Sequence, residues 1–272
     1  MMSAVYRSMF VASVAAAAAL ASATAFAGNR EEARVLTATQ VLEEMQKMPD
    51  QFAPDWLLAR AYGIAVIPNV GKLAFFAGGR RGQGLLAVRD QSGHWSNPVF
   101  VNLTGGSFGW QIGVQSTDII LVFTTRASVD GVSGGKVTLG ADASVAAGPV
   151  GRQASGATDI NFQAEIYSYS RTRGLFAGIA LDGSALTIDR KANESYYQKH
   201  GVVAGDIFAP TAPLAPESGQ RFMAALTKVT ATGQALKDTG APPAAAPQQA
   251  PPASGLKTYP MEDNKPGKEP GG

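Results

Sequence analysis

Cysteine is missing from this chain of 272 residues. Its absence excludes a disulfide scaffold, thiolate-bound zinc, iron–sulfur clusters and a cysteine nucleophile. Histidine is nearly missing: His94 and His200 are the only two. A Ser-His-Asp arrangement or an imidazole metal site would have to use one of them. His94 stands in a turn beside Trp95 and His200 at a helix end before Gly201, neither with an acid–nucleophile set nearby. An excess of one charge is lacking as well, with 23 Lys plus Arg against 21 Asp plus Glu and a net charge of +2. Nucleic-acid binders normally carry a clear basic excess, so no nucleic-acid partner is expected. Nucleotide loops are absent too. The run Gly140–Gly151 (GADASVAAGPVG) lacks the Gly-Lys-Ser/Thr ending that reaches phosphate and magnesium, and Gly82-x-Gly84 lacks its third glycine. Asp142 and Asp159 have no acidic cluster around them, so turn hydrogen bonding is expected of both. Ser107 and Ser133 sit among glycines with nothing to activate them. The expectation is a protein that is not an enzyme and holds no cofactor and no metal.

What is present is apolar residue and glycine: 45% hydrophobic side chains, enough for a sizeable core, and 31 glycines, many inside apolar segments. The two ends differ from the middle. Residues 1–27 have one early positive charge, Arg7, then an Ala-rich apolar run and the small-x-small sequence Ala25-Phe26-Ala27. That order is the pattern of a cleaved export signal. An exported protein, periplasmic or peripherally associated with the envelope membrane, is therefore expected. Residues 240–272 hold 8 of the 16 prolines with Ala, Gln and Gly, a composition that forms a solvated Pro-rich tail rather than a core. Residues 28–239 remain as one folded domain.

Within it, Arg30–Met48 carries apolar residues at helical spacing, with Glu31 and Glu32 in the first turn. A second short helix is expected from Pro54 to Tyr62. From Gly63 the texture becomes short apolar runs between turn residues. Ile64–Ile67, Lys72–Ala77, Gly84–Arg89, Val99–Leu103, Phe108–Gln115 and Asp118–Phe123 read as strands. Pro68-Asn69 and Gly78-Gly79 read as turns between them. Arg126–Ser133 reads as a helix, then further strands follow to Ile188. Asn193–His200 and Pro216–Thr230 read as closing helices. This alternation predicts an α+β fold, a curled antiparallel sheet or small β-barrel with flanking helices. Gly105, Gly106, Gly109 and Gly113 are expected at curved or crowded strand positions.

Four stretches carry a resemblance. AYGIAVIPNVGKLAFFAGGRRGQGLLAVRD, GHWSNPVFVNLTGGSFGWQIGVQSTDIILVF, GGKVTLGADASVAAGPVGR and EIYSYSRTRGLFAGIALDGSALTID, followed by NESYYQ, resemble in order the SYLF domain of the Ysc84-like lipid-binding family. The resemblance covers roughly Pro49 to Phe208. It implies a non-catalytic module whose partners are anionic phospholipids, phosphoinositide-type headgroups or a membrane surface. Eukaryotic members also attach to actin, usually beside an SH3 or FYVE module; for an exported member the lipid part of that role is expected to carry over and the actin part is not. The alternative is an envelope structural or interaction protein that uses the same fold for protein contacts. In eukaryotic members a basic amphipathic segment ahead of the domain engages the membrane. Here that helix holds three bases, Arg30, Arg34 and Lys47, against Glu31, Glu32, Glu43 and Glu44. Its apolar side is therefore expected to pack on the domain. The cations gather instead inside the motifs, several beside glycines whose N–H groups can help hold phosphate oxygens. Lys72, Arg80, Arg81, Arg126, Lys136 and Arg152 are the candidate lipid-binding residues, with Arg171 and Arg173 in reserve. The pair Arg80-Arg81, expected on a turn after Gly78-Gly79, leads.

Overall fold

The computed structural model describes residues 30–47, 52–73, 79–90, 92–106, 117–150, 164–172 and 175–238. Helix α1, residues 30–47, buries Val35, Ala38, Val41, Leu42 and Met45, the stripe that its apolar spacing dictates. Helix α2, Asp55–Ala59, starts after Pro54 and is shorter than its sequence suggests. Strands β1 (Gly63–Leu73), β2 (Gly79–Val88), β3 (Val99–Gly106) and β4 (Thr117–Phe123) follow. Helix α3, Arg126–Ser133, is capped by the Thr125 hydroxyl, which accepts from the Ser128 N–H. Strands β5 (Lys136–Thr138), β6 (Val145–Ala147), β7 (Ile166–Thr172), β8 (Leu175–Gly178) and β9 (Ala185–Ile188) complete the sheet. Helices α4 (Arg190–Tyr197), α5 (Ala204–Phe208) and α6 (Glu217–Asp238) close the domain, α5 without a forewarning in the sequence pattern.

The nine strands form one curled sheet in the order β5-β9-β3-β2-β1-β4-β7-β6, with β8 paired beside β7. The α+β reading with a curled sheet and flanking helices is what the molecule has. All described pairs are antiparallel except β6–β7, which is parallel. The sheet is covered on both faces. One core holds Ile64, Val66, Leu85, Ala87, Phe100, Ile120 and Val122 under α1, α2, α4 and α6. The other holds Ala65, Ile67, Leu86, Val101, Leu103, Ile119 and Leu121 with α3, α5 and the β5–β6 region. Burial on both sides is why the strands read as continuous apolar runs rather than as clean alternation. The apolar side of α1 lies in the first core, as its charge balance foretold. No described helix is long and apolar enough to cross a membrane.

The turn expected at Pro68-Asn69 is instead a bulge within β1. Pairing with β2 shifts register between Val66 and Gly71, and pairing with β4 between Ile67 and Val70, yet the strand continues on both sides. Asn69 takes a left-handed backbone (φ 53°), a conformation that Asn tolerates better than most residues. Two long neighbours hold the strand through the break, so local turn chemistry is overruled by pairing. Opposite the bulge, β2 carries Gly84, where a Cβ would stand 2.2 Å from the Val66 carbonyl oxygen. Gly109 and Gly113 lie outside the described residues. Gly105 does sit in a crowded place: a Cβ there would meet Ser184 Oγ at 2.4 Å.

A polar network clips the bulge to α1. The Asn69 N–H donates to Asp118 Oδ1 at 3.0 Å, and Arg171 Nη1 donates to Asp118 Oδ2 at 3.0 Å. Arg171 Nη2 reaches Glu44 of α1. Burial lifts the Asp118 carboxyl above its usual range, against the Asn69 hydrogen bond that lowers it, and burial also lowers the Arg171 guanidinium. Both groups thus feel the loss of water, and each depends on the other. Arg34 makes the second clip from α1, at 3.1 Å from Asp189, the residue that caps α4.

Two outcomes follow for stability. Gly84→Ala forces backbone apart at the bulge and is expected to cost about 1–3 kcal/mol in urea unfolding. Gly71→Ala, with nothing within 4 Å of the added carbon, is expected to stay within about ±0.5 kcal/mol. Arg171→Met strands Asp118, and Arg171→Met with Asp118→Asn recovers part of the loss. The double-mutant cycle should read a coupling of about 0.5–3 kcal/mol. A coupling near zero would mean the ion pair is incidental.

Candidate functional site

One end of the sheet collects the leading cations. The β1–β2 pairing sets Lys72 opposite Arg80 and Gly71 opposite Arg81, and β3 places Gly105 beside Arg80 and Thr104 beside Arg81. The end of β4 at Thr117, the end of β7 at Thr172 and the start of β8 at Leu175 belong to the same rim, because each pairs antiparallel with its neighbour. Leu175 is 69% exposed there, and Val150, beyond β6 toward the same end, is 40% exposed. The rim therefore offers cations on its β1–β2 side and open apolar surface on its β6–β8 side.

Arg80 and Arg81 are strand residues of β2, not turn residues. The sequence suggested a turn because Gly78-Gly79 directly precedes them; the strand instead begins at Gly79, and its Gly82 and Gly84 serve close packing. Strand alternation then sends the two side chains to opposite faces. Arg80 shares the side of Leu86 and Arg81 that of Leu85 and Ala87. The Arg80 side chain is half-buried under the β8–β9 connection. Its Nη1 donates to the Ala180 carbonyl at 3.4 Å, and its buried Nε has no acceptor among the described residues. Arg81 is exposed. Neither pairs with a carboxylate among the described residues. A site at this rim is therefore met end-on, with the two arginines as its two lips.

The remaining candidates do not join it. The Lys72 side chain and all of Arg152 and Arg173 lie outside the described residues. Arg126 is exposed at the first turn of α3, beyond the far end of β4. Seven strand residues at about 3.3 Å each separate it from the rim, roughly 20 Å. Lys136 is exposed at the start of the edge strand β5, three strands away from β2 in the sheet order. Its neighbour Asp142 has its carboxyl held below the usual range, first by hydrogen bonds from Thr138, whose N–H donates at 2.7 Å, and less by the Lys136 charge. That is the turn role expected of Asp142; Asp159 lies outside the described residues. Arg171 lies near the rim but is spent on Asp118 and Glu44. No local signal could have shown this, since Glu44 is 127 positions away. His94 and His200 are both exposed, His94 in the Asp90–His94 turn and His200 beside Glu194. Among the described residues no group of His, Asp and Glu could hold a metal ion.

Residues 104–229 match the Ysc84 family, described as "Las17-binding protein actin regulator". The chain is 33% identical over 189 residues to "SH3 domain-containing YSC84-like protein 1" of Xenopus laevis, covering 67% of this chain and 56% of that protein. The human protein of the same name is 31% identical over 183 residues, 64% of this chain and 53% of its own length. "LAS seventeen-binding protein 3" of Saccharomyces cerevisiae is 37% identical over 151 residues, 54% of this chain and 33% of its own length. The chain spans about half the length of the vertebrate relatives and a third of the yeast one. The family description and the yeast name speak of binding and regulation. The resemblance read from the four sequence stretches thus holds, and the chain belongs to the Ysc84 (SYLF) family.

Proposed function

We propose that this domain is a non-catalytic lipid-binding module that meets anionic phospholipid headgroups end-on at the β1–β2 rim. The observation that carries the reading is a contrast between arginines. Arg34 and Arg171, both half-buried, are matched by carboxylates from distant parts of the chain. Arg80, intermediate in exposure with its Nε buried, and exposed Arg81 beside it have no such match among the described residues. A guanidinium kept partly out of water without a counter-charge is suited to a phosphate brought by a ligand. Exposed Leu175 and Val150 at the same end supply apolar surface for the interfacial region of a bilayer.

Protein contacts through the same fold are the second reading, favoured by the names of the family and the yeast relative, which describe Las17 binding. A crosslinking pull-down that returns one stoichiometric protein partner with no co-purifying lipid selects this second reading. We also propose export, with Ala25-Phe26-Ala27 as the cleavage signal. N-terminal sequencing of the exported protein should then begin near Gly28; a mature chain starting at Met1 refutes it.

The rim reading predicts a specific loss. At about 1 kcal/mol per basic residue near an anionic membrane, Arg80→Ala with Arg81→Ala should weaken flotation with anionic vesicles about 30-fold at low salt. The loss should shrink as salt rises, because the missing attraction is screened. Lys191→Ala with Lys228→Ala, two exposed cations on helices away from the rim, is the control of equal charge. Equal weakening by both pairs would mean that overall charge, not a site, drives binding.

A further inference from the structure

Arg89 stands at the other end of β2 from Arg80. Strand β2 is 10 residues long, so about 30 Å of extended chain separates this end from the rim. The Arg89 N–H donates to the Tyr62 carbonyl at 2.7 Å, and the residue bridges to Trp95. Its guanidinium carbon lies 4.5 Å from the centre of the Trp95 ring. The indole is held in turn by its Nε1–H, which donates to Thr230 Oγ1 of α6 at 3.3 Å. The guanidinium plane is therefore fixed by packing rather than by ion pairing.

Two of its donors are left over. Nε and Nη2 are both buried, and neither has an acceptor among the described residues. These two atoms form a single edge of the guanidinium, the edge that meets two oxygens of one oxyanion at once. No carboxylate of the described residues takes it. Asp90, the next residue, accepts the His94 N–H at 2.9 Å and lies 3.9 Å from the His94 ring. Burial pulls the Arg89 guanidinium below its usual range, which marks a charge held without compensation.

We propose that Arg89, backed by Trp95, anchors a second oxyanion site that takes a phosphate monoester or inorganic phosphate. The Nε–Nη2 edge presents two parallel donors to two oxygens of one phosphate. Since the edge is buried, entry requires a small local opening around the guanidinium. The same phosphate chemistry is offered by a free anion or by a lipid headgroup, and the test separates these sources. It also stands apart from the rim, because Arg80 and Arg81 are not part of it.

The test uses the full chain, labelled with nitrogen-15, and follows arginine Nε–Hε signals at constant ionic strength. The Arg89 signal is identified by its loss in Arg89→Met. Inorganic phosphate is expected to move that signal saturably and to raise the melting temperature of the wild-type chain. Arg89→Met, which replaces a buried unpaired charge by an apolar chain, should fold and melt no lower in phosphate-free buffer while losing the phosphate response. Arg89→Lys keeps the charge but loses the fork, and should bind phosphate about tenfold more weakly. Arg81→Ala should leave the Arg89 response intact, whatever it does to vesicle flotation. Movement with inorganic phosphate shows that the free group suffices. Movement with soluble dihexanoyl phosphatidic acid alone assigns the site to a lipid headgroup. An Arg89 signal unmoved by both, or a shift linear in phosphate and shared by exposed Arg190, overturns the proposal. If Arg89→Met fails to fold, selective arginine assignment in the wild-type chain decides the same question.

Discussion

The structure depends on one constraint: the sheet is covered on both faces. Strand β1 shows it most plainly, with Ile64 and Val66 in one core and Ala65 and Ile67 in the other. A strand in that position has no solvent side on which to place a charge, and an uncompensated charge in either core would cost several kcal/mol. Within the sheet, the described cations consequently stand at or next to strand ends or on an edge strand. Arg80 and Arg81 occupy one end of β2, Arg89 follows the other, and Lys136 opens the edge strand β5. The placement of the candidate sites is thus a by-product of how the core is closed.

The same constraint explains the two kinds of arginine. Where an arginine helps fasten one layer to another, the chain supplies the counter-charge. Arg171 ties β7 to β4 and α1 through Asp118 and Glu44, and Arg34 ties α1 to the cap of α4. These pairs hold α1 over the first core in addition to its buried stripe. Arg80 and Arg89 fasten no such layer through a carboxylate. Among the described residues Arg80, Arg89 and Arg171 each leave a buried Nε without an acceptor, but Arg80 and Arg89 have no carboxylate partner and Arg89 leaves its Nη2 unmatched as well. Such donors are rare enough in folded proteins to require a reason. Ligand recognition at the two ends of the sheet is the reason offered here.

Family membership and fold class were legible in the sequence to a large degree. The helical spacing of Val35, Ala38, Val41, Leu42 and Met45, the Thr125 cap of α3 and the apolar runs of β3 and β4 are local signals, and each element lies where its signal stands. Pro68-Asn69 misled because its turn chemistry is also local, while the pairing with β2 and β4 that keeps β1 going is not. Gly78-Gly79 misled in the same way. It suggested that Arg80 and Arg81 sat side by side on a turn, whereas strand pairing turned them to opposite faces.

Composition and local patterning set the class of the molecule: an α+β core without the residues for thiol or metal-thiolate chemistry, and with cations gathered inside its motifs. They did so because composition, capping and periodicity act within a few residues of each other. Which of the described cations lack a carboxylate partner follows from the packing of distant segments. Arg171 and Arg80 look alike along the chain, each among glycines and polar residues, and differ because Glu44 and Asp118 come to one and not to the other. Charge pairing across 127 residues of chain is a property of the packed layers, set by which strand lies beside which, and no local pattern carries it.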